Sequence, residues 1–301
     1  IFLVSKGFAY AFAVQQVDWE AGDERLWLRA LLVSLSVILV FAIPDLVAPV
    51  AFRTAVGFPP TVDERSGLAS VVSLLGHPGG YGYVMGVGAL IGLGTLLVTR
   101  AGRAALVALV FFAGALLSLR RKAILGPIAA AVDVAGVLAR QVDRRIVVAT
   151  LTVLGIVFVP LAAVVMPIFI EGARGYFSAD ALTYQARTAL YAGSVLLARQ
   201  HLPFGAGVGR YGSAGSVSDY SDIYYEFGFN LIYGMSPTYT EFIMDTFWPQ
   251  VLGETGVIGL VGYAAALIAM LRAALARART SADARLLPLR VIAPMVAVYP
   301  M

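Results

Sequence analysis

Apolar runs of about twenty residues recur along the 301-residue sequence and limit its fold more than any other feature. A helix needs about 20 apolar residues to cross the hydrocarbon core of a bilayer, and about 17 suffice. The composition agrees, because 59% of the residues are hydrophobic and only 13% are charged. The chain is therefore predicted to be an all-α, polytopic transmembrane helical bundle. We predict spans near residues 31–51, 81–99, 104–119, 123–139, 146–170 and 254–271, with partial spans at 1–14 and 291–301.

Composition also excludes several classes of function. The chain contains no cysteine, which excludes disulfides, thiolate metal sites and thiol catalysis. Its net charge of +4 comes from basic residues in short connections between apolar runs. These residues indicate membrane topology rather than a nucleic-acid partner. The sequence starts in apolar residues without Met or a signal peptide, so we expect it to begin inside a larger protein that has further spans.

Three cations, Arg120, Arg121 and Lys122, divide the apolar stretch between Ala104 and Ala139. Three charges at the centre of a bilayer would cost on the order of 8–10 kcal/mol, so we predict an interfacial turn there. Alternation of the spans puts this cationic triplet on the outer side, where the positive-inside rule disfavours it. The placement indicates a site for an anion at the outer surface. Anchoring to lipid headgroups is the alternative.

One connection is far longer than the others. We divide the chain into transmembrane helices with short loops (1–170), a large external loop that carries the candidate active site (171–253) and further, truncated transmembrane helices (254–301). Apolar periodicity predicts a helix early in the loop, with Arg187 on it. The loop is also rich in aromatic residues, which suit the membrane interface and the apolar faces of sugars. We therefore take Tyr239 and Trp248 as candidate sugar contacts.

The stretch "HLPFGAGVGRYG" contains a G-x-G-x-x-G pattern in Gly207, Gly209 and Gly212. A dinucleotide fingerprint needs a strand before the glycines and a phosphate-binding helix after them. Here a predicted helix precedes them and polar coil follows, so we do not predict nucleotide binding. The glycines instead indicate tight turns beside a bulky neighbour, next to His201 and Arg210.

Other polar residues have competing interpretations. If they lie on one helix, Asp219, Asp222 and Glu226 share a face and could hold a cation such as calcium, although a solvated acidic face is the alternative. Asp133 lies in an apolar span, where it is a functional candidate or pairs with a polar neighbour. His77 precedes a span and is interpreted as a capping or structural residue.

The order of these features resembles the O-antigen ligase/polymerase family. The similar segments are "SLRRKAILG" at a span edge, "QARTALYAGSVLLARQHLPFGAGVGRYG" in the external loop and "FWPQVLGETGVIGL" leading into the next span. The segment "RSGLASVVSLLGHPGGYG", which begins at Arg65, resembles an earlier external segment of that family. Together the segments cover most of residues 60–265, and their order, spacing and membrane side agree with the family pattern.

The resemblance implies a metal-independent glycosyltransferase in the cytoplasmic membrane that needs no cofactor. Its substrate would be an oligosaccharide carried on undecaprenyl diphosphate, at the outer face of the membrane, in surface polysaccharide biosynthesis. Other polysaccharide assembly proteins are conceivable partners. A polymerase extends one lipid-linked chain by another, and a ligase transfers the chain to a different acceptor. A transporter or flippase for lipid-linked sugars is the alternative outside this family.

The resemblance also implies roles for individual residues. Arg121, with Arg120 and Lys122, matches the family's span-edge arginine, and Arg187 matches the arginine at the start of the external helix; both would grip the diphosphate. Family ligases carry a histidine where this chain has Asp245. Asp245 is therefore the candidate base, and the absence of the histidine favours a polymerase over a ligase. Glu241 and Glu254 are the reserve candidates for the base. The remaining candidate substrate contacts are Arg65, Arg210, His201, Tyr239 and Trp248.

Overall fold

The computed structural model describes residues 23–65, 67–99, 101–138 and 185–280. They belong to two compact units, which we describe one at a time. The N-terminal unit comprises the described residues up to 138 together with residues 271–280 at the end of the last described helix, and the loop unit comprises residues 185–270. Both are mostly helical. The predicted spans at 146–170, 1–14 and 291–301 lie outside the described residues.

The N-terminal unit consists of helices joined by short connections and one small hairpin. Its elements are α1 (Asp23–Val47), α2 (Pro49–Ala55), the antiparallel strands β1 (Glu64–Arg65) and β2 (Leu68–Ala69), a 3₁₀ turn (Ser73–Leu75), α3 (Pro78–Thr99), α4 (Gly102–Leu116) and α5 (Arg121–Leu138). Helix α3 packs against α1, α4 and α5. Glycines allow the close approach, because a Cβ at Gly88 would lie 2.7 Å from the Phe111 ring and one at Gly92 would lie 2.4 Å from the backbone nitrogen of Ala108. Small residues commonly permit such contacts between membrane helices.

Three helices among the described residues are long and apolar enough to cross a membrane. Their spans are Leu26–Val47, Pro78–Leu96 and Phe247–Met270, in agreement with the predictions near 31–51, 81–99 and 254–271. Helix α4 is apolar but has only 15 residues, which is short for a complete crossing. Helix α5 has 18 residues and contains Pro127. The complete polytopic bundle therefore stays a prediction, and so does the external position of the long loop.

The loop unit runs from helix α6 (Ala186–Gln200) to helix α9 (Phe247–Thr280). Between them lie α7 (Ala214–Ser218), α8 (Asp222–Glu226) and a 3₁₀ turn (Phe229–Leu231). The helix predicted from apolar periodicity is confirmed, since α6 buries Leu190 and Leu197. Helix α9 is interrupted at Gly256, whose φ of 64° and ψ of −162° lie outside the helical region. The last helix thus consists of a short first part and a long second part.

Aromatic side chains form the core of the loop unit. The rings of Tyr211 and Tyr224 lie 5.9 Å apart, and those of Tyr224 and Phe229 lie 6.3 Å apart. All three residues are buried. The Tyr211 hydroxyl donates to the carbonyl of Leu190 (2.7 Å), and the Tyr224 hydroxyl accepts from the N–H of Gly212 (2.7 Å), so the buried hydroxyls have partners, as burial requires. Part of the aromatic richness that suggested sugar binding therefore builds the core.

Candidate functional site

Arg187 and Asp245, the two residues predicted to be catalytic, are in direct contact. Nε of Arg187 lies 2.5 Å from Oδ2 of Asp245, although 58 residues separate them in the sequence. Their side chains are 46% and 35% exposed, so both are within reach of a molecule at the surface of the loop unit. An ion pair as exposed as this one adds only about 0–1 kcal/mol to stability. We refer to it as the Arg187–Asp245 pair.

Helix α6 holds Arg187 through its buried face. Arg187 is the second residue of the helix, and one turn later Leu190 is fully buried. The Tyr211 hydroxyl packs against this face so closely that a Cβ at Gly193 would lie 2.5 Å from its oxygen. Burial raises the pKa of Tyr211, which keeps the hydroxyl protonated and able to donate to Leu190. The guanidinium is therefore carried by a helix that is bonded to the core.

A compact turn positions Asp245. The N–H of Phe242 donates to the carbonyl of Gly234 (2.8 Å), and the N–H of Asp245 donates to the carbonyl of Phe242 (3.2 Å). Gly234 has a φ of +79°, and a Cβ there would lie 2.1 Å from the Phe242 ring. Between Phe242 and Asp245, Ile243 is fully buried in the aromatic core. The backbone on which the carboxylate sits is thus tied to the interior of the unit.

Tyr239 and Glu241 lie shortly before Asp245 and bond to each other. The Tyr239 hydroxyl donates to the Glu241 carboxylate, and this hydrogen bond raises the pKa of Tyr239. The ring of Tyr239 is exposed and lies 5.2 Å from the exposed ring of Tyr233. Exposed rings of this kind can pack against the apolar face of a sugar. Tyr239 therefore keeps its place as a candidate sugar contact, whereas Glu241 serves it as a hydrogen-bond acceptor.

Glu254, the other reserve base, is only 5% exposed and holds the glycine loop, which we define as residues 201–213. Its Oε1 accepts hydrogen bonds from the N–H groups of Gly209 (2.8 Å) and Tyr211 (3.1 Å) and from the hydroxyl of Ser213 (2.5 Å). Charged acceptors make the stronger hydrogen bonds in proteins. These contacts give Glu254 a structural role.

The glycine loop folds against the break in α9. A Cβ at Gly205 would lie 2.5 Å from the backbone nitrogen of Gly256, and the N–H of Gly207 donates to the carbonyl of Glu254 (3.1 Å). The motif glycines have φ values that side chains disfavour: 99° at Gly207, 84° at Gly209 and 68° at Gly212. The prediction of tight turns is confirmed. The predicted bulky neighbour is seen only at Gly212, where a Cβ would lie 3.2 Å from the Cβ of Gln250 in α9, whereas a Cβ at Gly209 would have no atom within 4 Å.

Three further predicted contacts lie in or next to this region. His201 follows α6, and its Nδ1 lies 3.3 Å from the carbonyl of Leu197, which is a structural contact. Arg210 is exposed within the glycine loop. Trp248 packs its ring 5.5 Å from Phe247 and 6.0 Å from Tyr263, at the start of a membrane-spanning candidate. Such a cluster is typical of aromatic residues at a membrane interface.

The cationic triplet belongs to the N-terminal unit. It lies at the junction of α4 and α5, as predicted: Arg120 is the last residue of the connection, and Arg121 and Lys122 are the first residues of α5. Arg120 forms an ion pair with Asp63, which directly precedes strand β1 and its second residue, Arg65. This ion pair connects the cationic triplet to the hairpin segment, which contains Arg65. Because the triplet and Arg187 lie in different units, their joint grip on one diphosphate stays a prediction.

Sequence reasoning missed a buried ion pair in the N-terminal unit. Nε of Arg53 lies 2.9 Å from Oδ1 of Asp45, and both side chains are almost fully buried. Oδ2 of Asp45 accepts from the N–H groups of Val72 (2.6 Å) and Ser73 (3.0 Å), and Arg53 donates to the carbonyl of Ser70 (2.7 Å). The sequence feature that could have predicted this pair is an acid and a base eight residues apart in an otherwise apolar stretch.

The remaining sequence predictions have different outcomes. Asp219, Asp222 and Glu226 do not share one helix, because Asp219 lies beyond the end of α7 while the other two belong to α8. Within the described ranges, no group of three or more acids or histidines could hold a metal ion. His77 accepts a hydrogen bond from the N–H of Gly79 (3.0 Å) at the start of α3, which confirms its capping role. The Asp133 side chain lies outside what the structure describes.

Comparisons with known proteins add no relative. No family model matches the chain, and no curated protein or solved structure gives a significant match.

Proposed function

We propose that the chain is a membrane glycosyltransferase that extends glycan chains carried on undecaprenyl diphosphate, at the outer face of the cytoplasmic membrane. The observation that carries the proposal is the Arg187–Asp245 pair. The resemblance assigns the diphosphate-binding cation and the base to these two positions, and they meet at 2.5 Å on an exposed surface. Three helices apolar enough to cross a membrane support a membrane setting for the reaction.

The proposed chemistry is a direct displacement at the anomeric carbon of the donor. Asp245 accepts the proton of the acceptor hydroxyl while the hydroxyl oxygen bonds to the anomeric carbon. The bond from that carbon to the diphosphate breaks, and undecaprenyl diphosphate leaves with the electron pair. Arg187 stabilises the charge that develops on the leaving group. A guanidinium has five N–H donors in a planar fork, so it can bind carboxylate and phosphate oxygens together.

The N-terminal unit supplies a second cationic group to the proposal. Arg120, Arg121 and Lys122 are consecutive, and the pair between Arg120 and Asp63 brings the segment of Arg65 to them. Arginine can make bidentate hydrogen bonds to phosphate oxygens, and lysine binds them as a point charge. We assign this group to recognition of the anionic part of a lipid-linked substrate. In the loop unit, exposed Tyr239 is the proposed contact for a sugar ring.

The test compares Arg187→Ala, Asp245→Asn and Arg199→Ala in the full chain reconstituted in lipid vesicles. Arg199 is an exposed arginine on the same helix, so its removal controls for the loss of a positive charge from α6. Synthetic lipid-linked repeat units serve as both donor and acceptor, and chain length is measured on gels. The first two variants are expected to lose at least about 100-fold in rate, because each removes a proton acceptor or a charge-stabilising donor.

The products separate this proposal from its alternatives. A polymerase lengthens lipid-linked chains and releases undecaprenyl diphosphate. A ligase releases the same diphosphate only when a different acceptor is supplied, and a flippase releases none. Full activity in both Arg187→Ala and Asp245→Asn would contradict the roles proposed for the pair.

A further inference from the structure

The glycine loop has an exposed apolar tip, formed by Leu202, Phe204 and Val208. Their exposed fractions are 63%, 70% and 49%. The backbone around them is bonded, since the N–H groups of Phe204 and Gly205 both donate to the carbonyl of His201 (3.0 Å each). The tip therefore displays large apolar side chains on an ordered backbone. Large exposed apolar side chains concentrated in one loop can mark a contact with another molecule or with a membrane.

The tip is attached to the part of α9 that is apolar enough to span a membrane, Phe247–Met270. Pro203, which lies between Leu202 and Phe204, accepts a hydrogen bond from the N–H of Ile258 (3.4 Å) through its carbonyl. The same carbonyl would lie 2.2 Å from a Cβ at Gly256. These contacts place the tip beside the break in α9 and within the candidate span.

The length of α9 locates this contact relative to the membrane. The ring of Phe247 lies 5.1 Å from that of Tyr263, so the short part of α9 before the break folds back beside the long part after it. The uninterrupted long part runs from Val257 to Thr280. At about 1.5 Å per residue it covers about 36 Å, which is enough to cross a hydrocarbon core of about 30 Å, and the break lies at one end of it. The break, and with it the tip, therefore lies in the boundary layer of the bilayer.

Two other properties of this region suit a lipid environment. The surface of α9 next to the contact is itself apolar and exposed, at Val257, Ile258 and Val261. Part of the irregular backbone of the loop bonds to α9, for example through the N–H of Ala206, which donates to the carbonyl of Gly253 (2.8 Å). Such bonds satisfy backbone groups where the bilayer offers no water as a partner.

We propose that the tip of the glycine loop inserts into the membrane boundary, with Leu202, Phe204 and Val208 in contact with lipid acyl chains. The tip of the glycine loop then lies in the membrane boundary beside α9 and is not exposed to water. The occupant of this apolar surface is phospholipid, because the surface continues onto an apolar helix that is long enough to span the bilayer. The proposal does not depend on the glycosyltransferase chemistry.

The absence of cysteine from the chain makes a direct test possible without a change of background. Single cysteines are introduced as Phe204→Cys, Leu202→Cys and, for the control, Ser218→Cys at the exposed end of α7. Each is labelled with an environment-sensitive fluorophore, and the full chain is reconstituted in phosphatidylcholine vesicles. Quenching is measured with brominated phospholipid from within the bilayer and with iodide from the water phase.

Labels at positions 204 and 202 are expected to be quenched by brominated lipid and to show iodide quenching at least about threefold weaker than the label at 218, because apolar groups at an interface lie about 5–10 Å inside it. Equal iodide quenching at all three positions would overturn the proposal. Protection from both quenchers would also overturn it, since it would mean that protein covers the tip. Two independent tip positions keep the test valid if one substitution prevents folding.

Discussion

Replacing Glu254 with alanine should loosen the glycine loop from α9. The substitution leaves three donors without their acceptor, namely the N–H groups of Gly209 and Tyr211 and the hydroxyl of Ser213. An unsatisfied buried polar group costs about 1–3 kcal/mol, and since water reaches some of the vacated site, we expect a total loss on the order of 3–6 kcal/mol. Glu254→Gln keeps one acceptor oxygen for the three donors, although it removes the charge and replaces the second oxygen with an NH2 group. Since charge-assisted hydrogen bonds are about twice as strong as neutral ones, its loss should be less than half as large.

The assay is denaturant unfolding of the full chain in detergent micelles, followed by tryptophan fluorescence, with limited proteolysis of the glycine loop as a local readout. Asp219→Ala is the matched control, because it removes an exposed acid of the same unit. The expected order of stability is wild type and Asp219→Ala, then Glu254→Gln, then Glu254→Ala. A Glu254→Ala protein within about 0.5 kcal/mol of wild type, the range of ordinary surface changes, would refute the reasoning.

Two further predictions concern stability. Arg53→Ala should cost about 3–5 kcal/mol because it leaves the buried Asp45 carboxylate without its cation, whereas the double replacement Asp45→Leu with Arg53→Met should recover much of that loss; thermal unfolding of the variants in detergent measures both. Burial, followed by repulsion from Tyr225 and Tyr224, raises the pKa of Tyr220 from 10.0 to about 12. The unfolded chain releases this proton near pH 10 and the folded chain near pH 12, so the contribution to stability is complete below pH 10 and disappears as the pH rises through 12. The measurement is tyrosinate absorbance as a function of pH in the wild type and in Tyr220→Phe, and the difference gives the pH at which Tyr220 loses its proton. Loss of that proton near pH 10 in the folded protein would contradict the prediction.

Much of the helical architecture was predictable, because long apolar runs that can form membrane-spanning helices are recognisable in a sequence. The apolar helical stretches Leu26–Val47 and Pro78–Leu96, which are long enough to cross a membrane, lie within a few residues of the predicted spans. Hydropathy did not predict that α4 ends at Leu116 after only 15 residues. The break at Gly256 was equally hidden, since it depends on the glycine loop packing against the helix, a contact that apolar periodicity does not encode.

The contacts within the candidate site could not be predicted from the sequence. Arg187 and Asp245 were predicted for separate reasons, and nothing in their spacing of 58 residues implied that they touch. Their contact follows from the packing of α6 and the turn before α9 on one aromatic core. Glu254 illustrates the converse, because a carboxylate in a motif suggests chemistry until its burial and its three donors are known.

The glycine motif binds an anion after all, and the anion is part of the protein. Dinucleotide-binding loops use glycines so that backbone N–H groups can converge on a phosphate. Here the N–H groups of Gly209 and Tyr211 converge on one carboxylate oxygen of Glu254, at 2.8 and 3.1 Å. The literal G-x-G-x-x-G pattern therefore reflects a backbone geometry that suits a negative charge. Because the side chain of Glu254 already occupies that position, the glycine loop does not offer these two N–H groups to a phosphate. Our proposal therefore assigns phosphate binding in the loop unit to the Arg187 side chain on α6.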